Sequence, residues 1–195
     1  MEGLTFNEEN HEYKLNGLII PSVTQIISGA GLVNFDYIDE ETLREKAELG
    51  KKVHTTTELY DKDSLDIKSL HPILRNYLNS WINFKKDYGF LPLEIEETFY
   101  HKDYNVIGCV DRIGFIGKDK SIVDLKHGIK LKSHAIQTAG YKLIHNYKKS
   151  KGNMAKKRFC VYLTEKGYKV EENKEQTDEA VFLAALTIYN YKRSK

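Results

Sequence analysis

Cysteine is almost absent from this chain: Cys109 and Cys160 are the only two in 195 residues. Both sit inside apolar runs, which suits two buried thiols in a reducing compartment better than a disulfide. Two cysteines cannot hold a four-cysteine iron–sulfur cluster. No pair of His or Cys has zinc-ligand spacing on one element, which argues against a zinc hydrolase. Long apolar runs are missing too, and none approaches the roughly 20 residues of a membrane-spanning helix. The opening MEGLTFNEENHEY is polar and acidic, unlike a secretory signal. The expectation is a cytoplasmic protein with no membrane partner.

Acid is the third absence, and it is local. From Leu125 to Thr164 there is no Asp or Glu, while the same stretch carries Lys126, Lys130, Lys132, Lys142, Lys148, Lys149, Lys151, Lys156, Lys157 and Arg158. The net charge of only +2 hides this, because the acids gather elsewhere, notably between Asp36 and Asp66. A basic stretch of this length points to a polyanion, with nucleic acid weighed above simple solvation.

What is present fits one α/β domain over residues 1–195, at 41% hydrophobic and 30% charged residues. No repeat, low-complexity segment or linker divides it. Residues 4–20 alternate as a hairpin with Asn16-Gly17 as a turn signal, and Ser22 caps a short helix. Residues 1–35 are thus expected to pack on the core as a hairpin and short helix. Helices are expected over 39–62, with Asp39 as N-cap, over 72–88 with Pro72 in the first turn, over 133–149, and over 178–191. In the last, Val181, Ala184, Ala185, Ile188 and Tyr189 should face inward. Strands are expected over 92–101, through the 108–127 region, over 158–163 and over 167–171. The order predicts a mixed sheet with helices on both faces.

The centre of the chain is GCVDRIGFIGKDKSIVDLKHG. Two β-favouring runs flank a Gly117-Lys118 turn. Counting back from that turn sets Asp111 opposite Asp124, and alternation puts Asp124 and Lys126 on one face. Two carboxylates side by side repel unless a cation lies between them. Hard oxygen ligands select Mg²⁺ or Mn²⁺. A lysine beside them can orient or activate water, or steady charge on a phosphorane. The plainer reading is a surface hairpin with an Asp124–Lys126 salt bridge.

Other residues can join this group. His54 follows Gly50 by one helical turn. Gly50 itself costs about 1 kcal/mol inside a helix, which the close approach of another backbone would explain. Glu58, one turn further, can orient His54. Glu97 shares the parity of Ile95 and Phe99 and so can point at a metal. Gln137 and Tyr141 share a helix face.

Together these residues resemble the PD-(D/E)XK nuclease superfamily, in its RecB-like form found in bacteria and bacteriophages. Gly50-x-x-x-His54, Gly108-x-x-Asp111-Arg112, Asp124-Leu125-Lys126 and Gln137-x-x-x-Tyr141 occur in the family's order. The opening YKLNGLIIPSVTQII is similar to phage members. The likeness covers roughly residues 13–141, with Val110 standing where the family often has Pro. It implies a restriction-endonuclease-like core and a metal held by Asp111, Asp124, the Leu125 carbonyl and His54. Lys126 would activate or position water. Gln137 and Tyr141 would position DNA, beside the basic Lys130, Lys132, Lys142 and Lys148. The implied activity is a Mg²⁺- or Mn²⁺-dependent exonuclease working on DNA ends in replication, recombination or repair. An endonuclease and a catalytically idle DNA-binding module are the alternatives. A single-strand annealing protein or a helicase is a partner implied by resemblance alone. A ring-shaped oligomer is neither required nor forbidden.

Overall fold

The computed structural model describes residues 2–8, 10–34 and 39–194. Residues 1, 9 and 35 of the expected N-terminal unit, and Asp36 at the start of the acidic stretch, lie outside these.

The chain opens with three short antiparallel strands in sequential order, β1 (Leu4–Asn7), β2 (Glu12–Leu15) and β3 (Leu18–Ile20). Asn16 and Gly17, at φ of 50° and 81°, make the tight turn between the last two. Ser22 then starts α1 (Val23–Gly29) with a capping box. Its hydroxyl accepts from the Gln25 amide at 3.2 Å, and the Gln25 side chain accepts from the Ser22 amide at 3.0 Å. Asp39 caps α2 (Glu40–Asp61), and α3 (Pro72–Tyr88) begins with its proline where no amide is needed.

The main sheet has five strands: β4 (Leu91–His101), β5 (Val106–Ile116), β6 (Asp119–His127), β7 (Lys157–Thr164) and β8 (Gly167–Glu172). They lie in sequence order. Only β6 and β7 run parallel, joined by a crossover through α4 (Lys132–Asn146). α5 (Thr177–Arg193) closes the chain. One core cluster joins α3 residues Tyr77, Trp81 and Phe84 to Val123, Leu125 and Val161 of the sheet. Another joins Val23, Tyr141, Ile144 and Phe182 to Val110, Ile113 and Ile122. The central strands β5 and β6 are buried almost throughout, which is why they read as near-continuous apolar runs. This is the mixed sheet flanked by helices that the sequence predicts, and it is consistent with a restriction-endonuclease-like core.

Three expectations need correction. α4 is shorter than 133–149, starting at Lys132 and ending at Asn146. α5 is rotated: Ala185 is buried and Tyr189 packs on the core as expected, but Phe182 and Leu186 are buried with them while Val181 and Ile188 are 38% and 45% exposed. The rotation has a cause in α4. Phe182 fills the notch at Gly140, where a Cβ would lie 2.8 Å from its ring. At Gly50 the close neighbour is a side chain and not a backbone, since a Cβ there would meet the His127 ring at 3.0 Å.

Candidate active site

The site forms where strands part. β5 and β6 pair from Ile116–Asp119 to Arg112–Val123. Asp111 and Asp124 are next in that register, as the turn predicts, but the ladder stops before them. β6 continues beside β7 through Asp124–Cys160 to His127–Leu163. Across the gap, the Asp111 carboxylate accepts from the Leu125 amide at 2.7 Å. On the other side of β5 the ladder to β4 skips the same position, with Ile95–Arg112 and Glu97–Val110 as the flanking pairs. Glu96, which stands there, has φ of 52°. That left-handed conformation within a strand costs a non-glycine residue about 1–3 kcal/mol.

α2 supplies His54. Its Nε2 lies 3.1 Å from the Leu125 carbonyl oxygen. Its Nδ1 lies 3.6 Å from Asp111 Oδ2 and 3.8 Å from Glu96 Oε1. His54, Glu96 and Asp111 thus offer three ligand atoms, all within 4.8 Å of one another. Asp124 is completely buried beside them. Its Oδ2 is 2.8 Å from Lys126 Nζ, and the Cys160 thiol is 3.9 Å away. Its Oδ1 has no hydrogen-bond partner among the described residues. A buried carboxylate oxygen without a partner is costly.

Burial pushes both Asp111 and Asp124 above the usual carboxylate range, against the pull of His54 on the first and of Lys126 on the second. Burial disfavours the charged form of His54, but Asp111 and Glu96 outweigh it and raise its pKa. Lys126 behaves likewise: burial is overcome by Asp124 and Asp111, so the ammonium is held charged. The buried Tyr141 phenol is pushed well above its ordinary value by burial and by the two aspartates.

A divalent cation fits these residues. The oxygens of Asp111 and Glu96 and a His54 nitrogen converge within 4.8 Å and are donors that a divalent cation accepts, whereas Asp124 is not one of that group of three. The orphaned Asp124 Oδ1 is the atom most in need of one. The Leu125 carbonyl, placed against His54, can join them.

Behind the cluster a second group fixes its frame. Arg112 is fully buried and donates to Glu96 Oε1 at 2.8 Å, to the Asp111 carbonyl at 2.6 Å and to Thr57 at 3.2 Å. Its Nε meets Asp61 at 2.8 Å, and Asp61 also accepts from Trp81 and Lys85. α2, α3, β4 and β5 are thereby tied to one guanidinium.

Gln137 and Tyr141 share a face of α4, with the Gln137 amide donating to the Tyr141 hydroxyl at 2.9 Å. Tyr141 lines a cavity of about 200 Å³ with Glu96, Asp111, Ser22 and Thr24. The PSVT segment therefore borders the site as well as strapping the core.

Elsewhere the sequence placed residues differently. Glu97 is exposed, and Glu96 is the carboxylate that β4 contributes. The left-handed kink at Glu96 breaks the alternation on which the choice of Glu97 relied. Glu58 pairs with Lys62 at 2.7 Å and does not orient His54. The basic stretch is partly neutralised by acids from other elements. Lys130 pairs with Glu171, Lys149 with Glu94, Lys156 and Lys157 with Asp119, and Arg158 with Asp178. Lys132 and Lys148 are exposed and Lys142 half-buried. Lys142 lines a separate cavity with Lys156, Lys157 and Arg158.

No protein-family model matches the chain, and no curated protein matches it. Among solved structures, one named "Putative exonuclease" from Eubacterium rectale is 15% identical, with a TM-score of 0.50, covering 88% of this chain and 82% of its own. A second, SSO0001, is 18% identical over 87% of this chain and 74% of its own, at a TM-score of 0.45. At 15% identity the likeness to the E. rectale protein is one of fold alone.

Proposed function

We propose that this protein is a divalent-metal-dependent deoxyribonuclease of the PD-(D/E)XK type that degrades DNA from its ends. The observation that carries the reading is the orphaned Oδ1 of a fully buried Asp124, beside Asp111, Glu96, His54 and a charged Lys126. The motif order in the sequence supports the family. The name of the E. rectale protein supports exonuclease over endonuclease.

Asp111, Asp124, Glu96, His54 and the Leu125 carbonyl would hold Mg²⁺ or Mn²⁺, which when bound polarises a phosphate and lowers the pKa of water. Lys126, kept as an ammonium by the aspartates, is a donor and not a base. It orients a water through its N–H groups and meets negative charge developing on phosphorus. Asp124 fixes the Lys126 side chain in place. Tyr141 stays a neutral phenol and can donate to a phosphate oxygen that enters the cavity, while Gln137, which lies outside the cavity lining, donates to the Tyr141 hydroxyl and orients it. Lys132, Lys142 and Lys148 are left to meet DNA phosphates by charge. The whole chain works as one nuclease domain, with its N-terminal hairpin and short helix as part of it.

The test is incubation with Mg²⁺ or Mn²⁺ and equal amounts of linear and covalently closed circular DNA, with Lys126→Ala alongside. With the wild type, linear DNA should disappear and circles should persist; the variant should leave both intact. Cut circles would replace the exonuclease by an endonuclease. Retained DNA binding with no metal-dependent cleavage would replace both by an idle binding module.

A further inference from the structure

α5 carries more apolar surface than the core uses. Its inward side is set by Phe182, which fills the notch at Gly140 of α4, together with Ala185 and Leu186. That rotation turns Val181, Ala184, Ile188 and Tyr191 outward. All four are exposed, Ile188 at 45% and Tyr191 at 65%. They recur at steps of three and four residues, the a and d spacing of a helix that packs along its length against another helix. Thr177, Ala180 and Thr187, beside them on the outer face, are exposed and uncharged. A solvated helix of this chain looks different: Glu45, Lys46, Lys51 and Lys52 stand on the exposed side of α2. In a protein with 30% charged residues, α5 thus offers water a stripe without charge along most of its 17 residues.

The charges at its ends say what covers the stripe. Asp178 in the first turn and Lys192 in the last lie on the same flank of it, two heptads apart. Asp178 Oδ2 accepts from Arg158 at 2.8 Å, and Lys192 donates to the Gly29 carbonyl at 2.8 Å. Both side chains are thereby held in place, with a carboxylate oxygen and two N–H groups left over for a partner.

We propose that the outer face of α5 is the contact between two copies of this chain, packed antiparallel about a two-fold axis. In that arrangement Asp178 meets Lys192 of the second copy, and symmetry repeats the pair at the other end. The same alignment sets Ala184 against Ile188 of the second copy and Val181 against Tyr191 of the second copy, so that small and large side chains interdigitate. Parallel packing would instead set Lys192 against Thr187 of the second copy, with no charge to meet. The pairing is independent of the nuclease reading, and α5 contributes no residue to the cavity beside Asp111.

The experiment is sedimentation velocity over a concentration series. One helix pair buries less than the roughly 1,200–2,000 Å² of a stable interface, so the dimer should dissociate in the micromolar range. The wild type should move from the 22.6 kDa of one chain toward twice that mass as its concentration rises from about 1 to about 100 µM. Ile188→Glu should weaken dimerisation more than about tenfold, because it buries a carboxylate without a partner. Lys192→Glu, which faces Asp178 of the second copy, should weaken it severalfold, and less so at high salt. Both residues are exposed in the single chain, so melting temperatures should stay near wild type, and a loss of dimer cannot then be read as unfolding. A wild type that stays monomeric at about 100 µM would overturn the proposal. So would an Ile188→Glu variant that dimerises as well as the wild type. Unchanged dimerisation in Lys192→Glu would overturn the antiparallel arrangement. A wild type that dimerises in this way and cleaves no DNA would overturn the nuclease reading alone.

Discussion

Two clusters of buried charge share a wall in this protein, and they are completed to different degrees. Asp61 is closed off from water and accepts from Trp81, Lys85 and Arg112. Arg112 in turn donates to Glu96, Thr57 and the Asp111 carbonyl. In the other cluster Asp124 is just as buried, yet one of its oxygens has no hydrogen-bond partner among the described residues. Both clusters bear the desolvation cost of buried charge, and only the first recovers it within the chain. The same fold can therefore saturate a buried carboxylate. Where it leaves one open, beside Asp111 and His54, the missing partner is to be sought outside the protein.

The largest effect should come from the open cluster and should concern chemistry. Asp124→Asn keeps the volume and removes the charge. It should abolish Mg²⁺-dependent cleavage, by on the order of 10³-fold or more for the several kcal/mol a metal site contributes. The melting temperature without metal should hold or rise, because a poorly solvated charge is gone. Mn²⁺ should raise the melting temperature of the wild type and leave this variant unmoved. Wild-type turnover in Asp124→Asn would end the assignment of the site.

The closed cluster should respond the other way. Asp61→Ala leaves Arg112 and the Trp81 indole without an acceptor in the core. The expected cost is about 3–5 kcal/mol of stability, the usual result of removing one partner from a buried pair. Urea denaturation measures it, and a loss below about 1 kcal/mol would mean that Asp61 is not what secures Arg112. Within whatever fraction remains folded, Mn²⁺ should still stabilise.

Much of the open cluster could be read from the sequence because it depends on local counting. The Gly117-Lys118 turn fixes which residue of β5 faces Asp124, and helical spacing places His54 one turn from Gly50. The closed cluster could not be read in that way. Asp61, Trp81 and Arg112 lie on three elements, and nothing in their spacing announces that they meet. The rotation of α5 is similar, since it follows from Phe182 seeking a notch at Gly140, over forty residues away in the chain. The acid-poor stretch 125–164 reads as more basic in sequence than it is in the fold for the same reason. Glu94, Asp119, Glu171 and Asp178, all outside or at the edges of that stretch, fold back onto its lysines and arginine.

Glu96 joins the two clusters, and it sharpens the contrast at a smaller scale. Arg112 holds its carboxylate against His54, at the expense of a left-handed backbone. Glu96→Gln should weaken Mn²⁺ binding about 10–100-fold, the range seen when groups supporting a metal site are altered. Glu97→Gln, exposed on the neighbouring position, should change nothing. Titration calorimetry separates the two, and equal effects would show that β4 presents both carboxylates or neither.

The smallest effect belongs to Glu58, which the sequence sets one helical turn beyond His54. In the structure it reaches Lys62 instead, an i,i+4 pair with both side chains partly in solvent. Such pairs contribute about 0.3–0.5 kcal/mol. Glu58→Gln should therefore shift stability by no more than that and leave metal affinity and cleavage at wild-type levels. Were Glu58 to act through His54, the same substitution would lower metal affinity without touching the unfolding midpoint. Measuring both quantities on one sample distinguishes a solvated helix pair from a residue that orients the histidine.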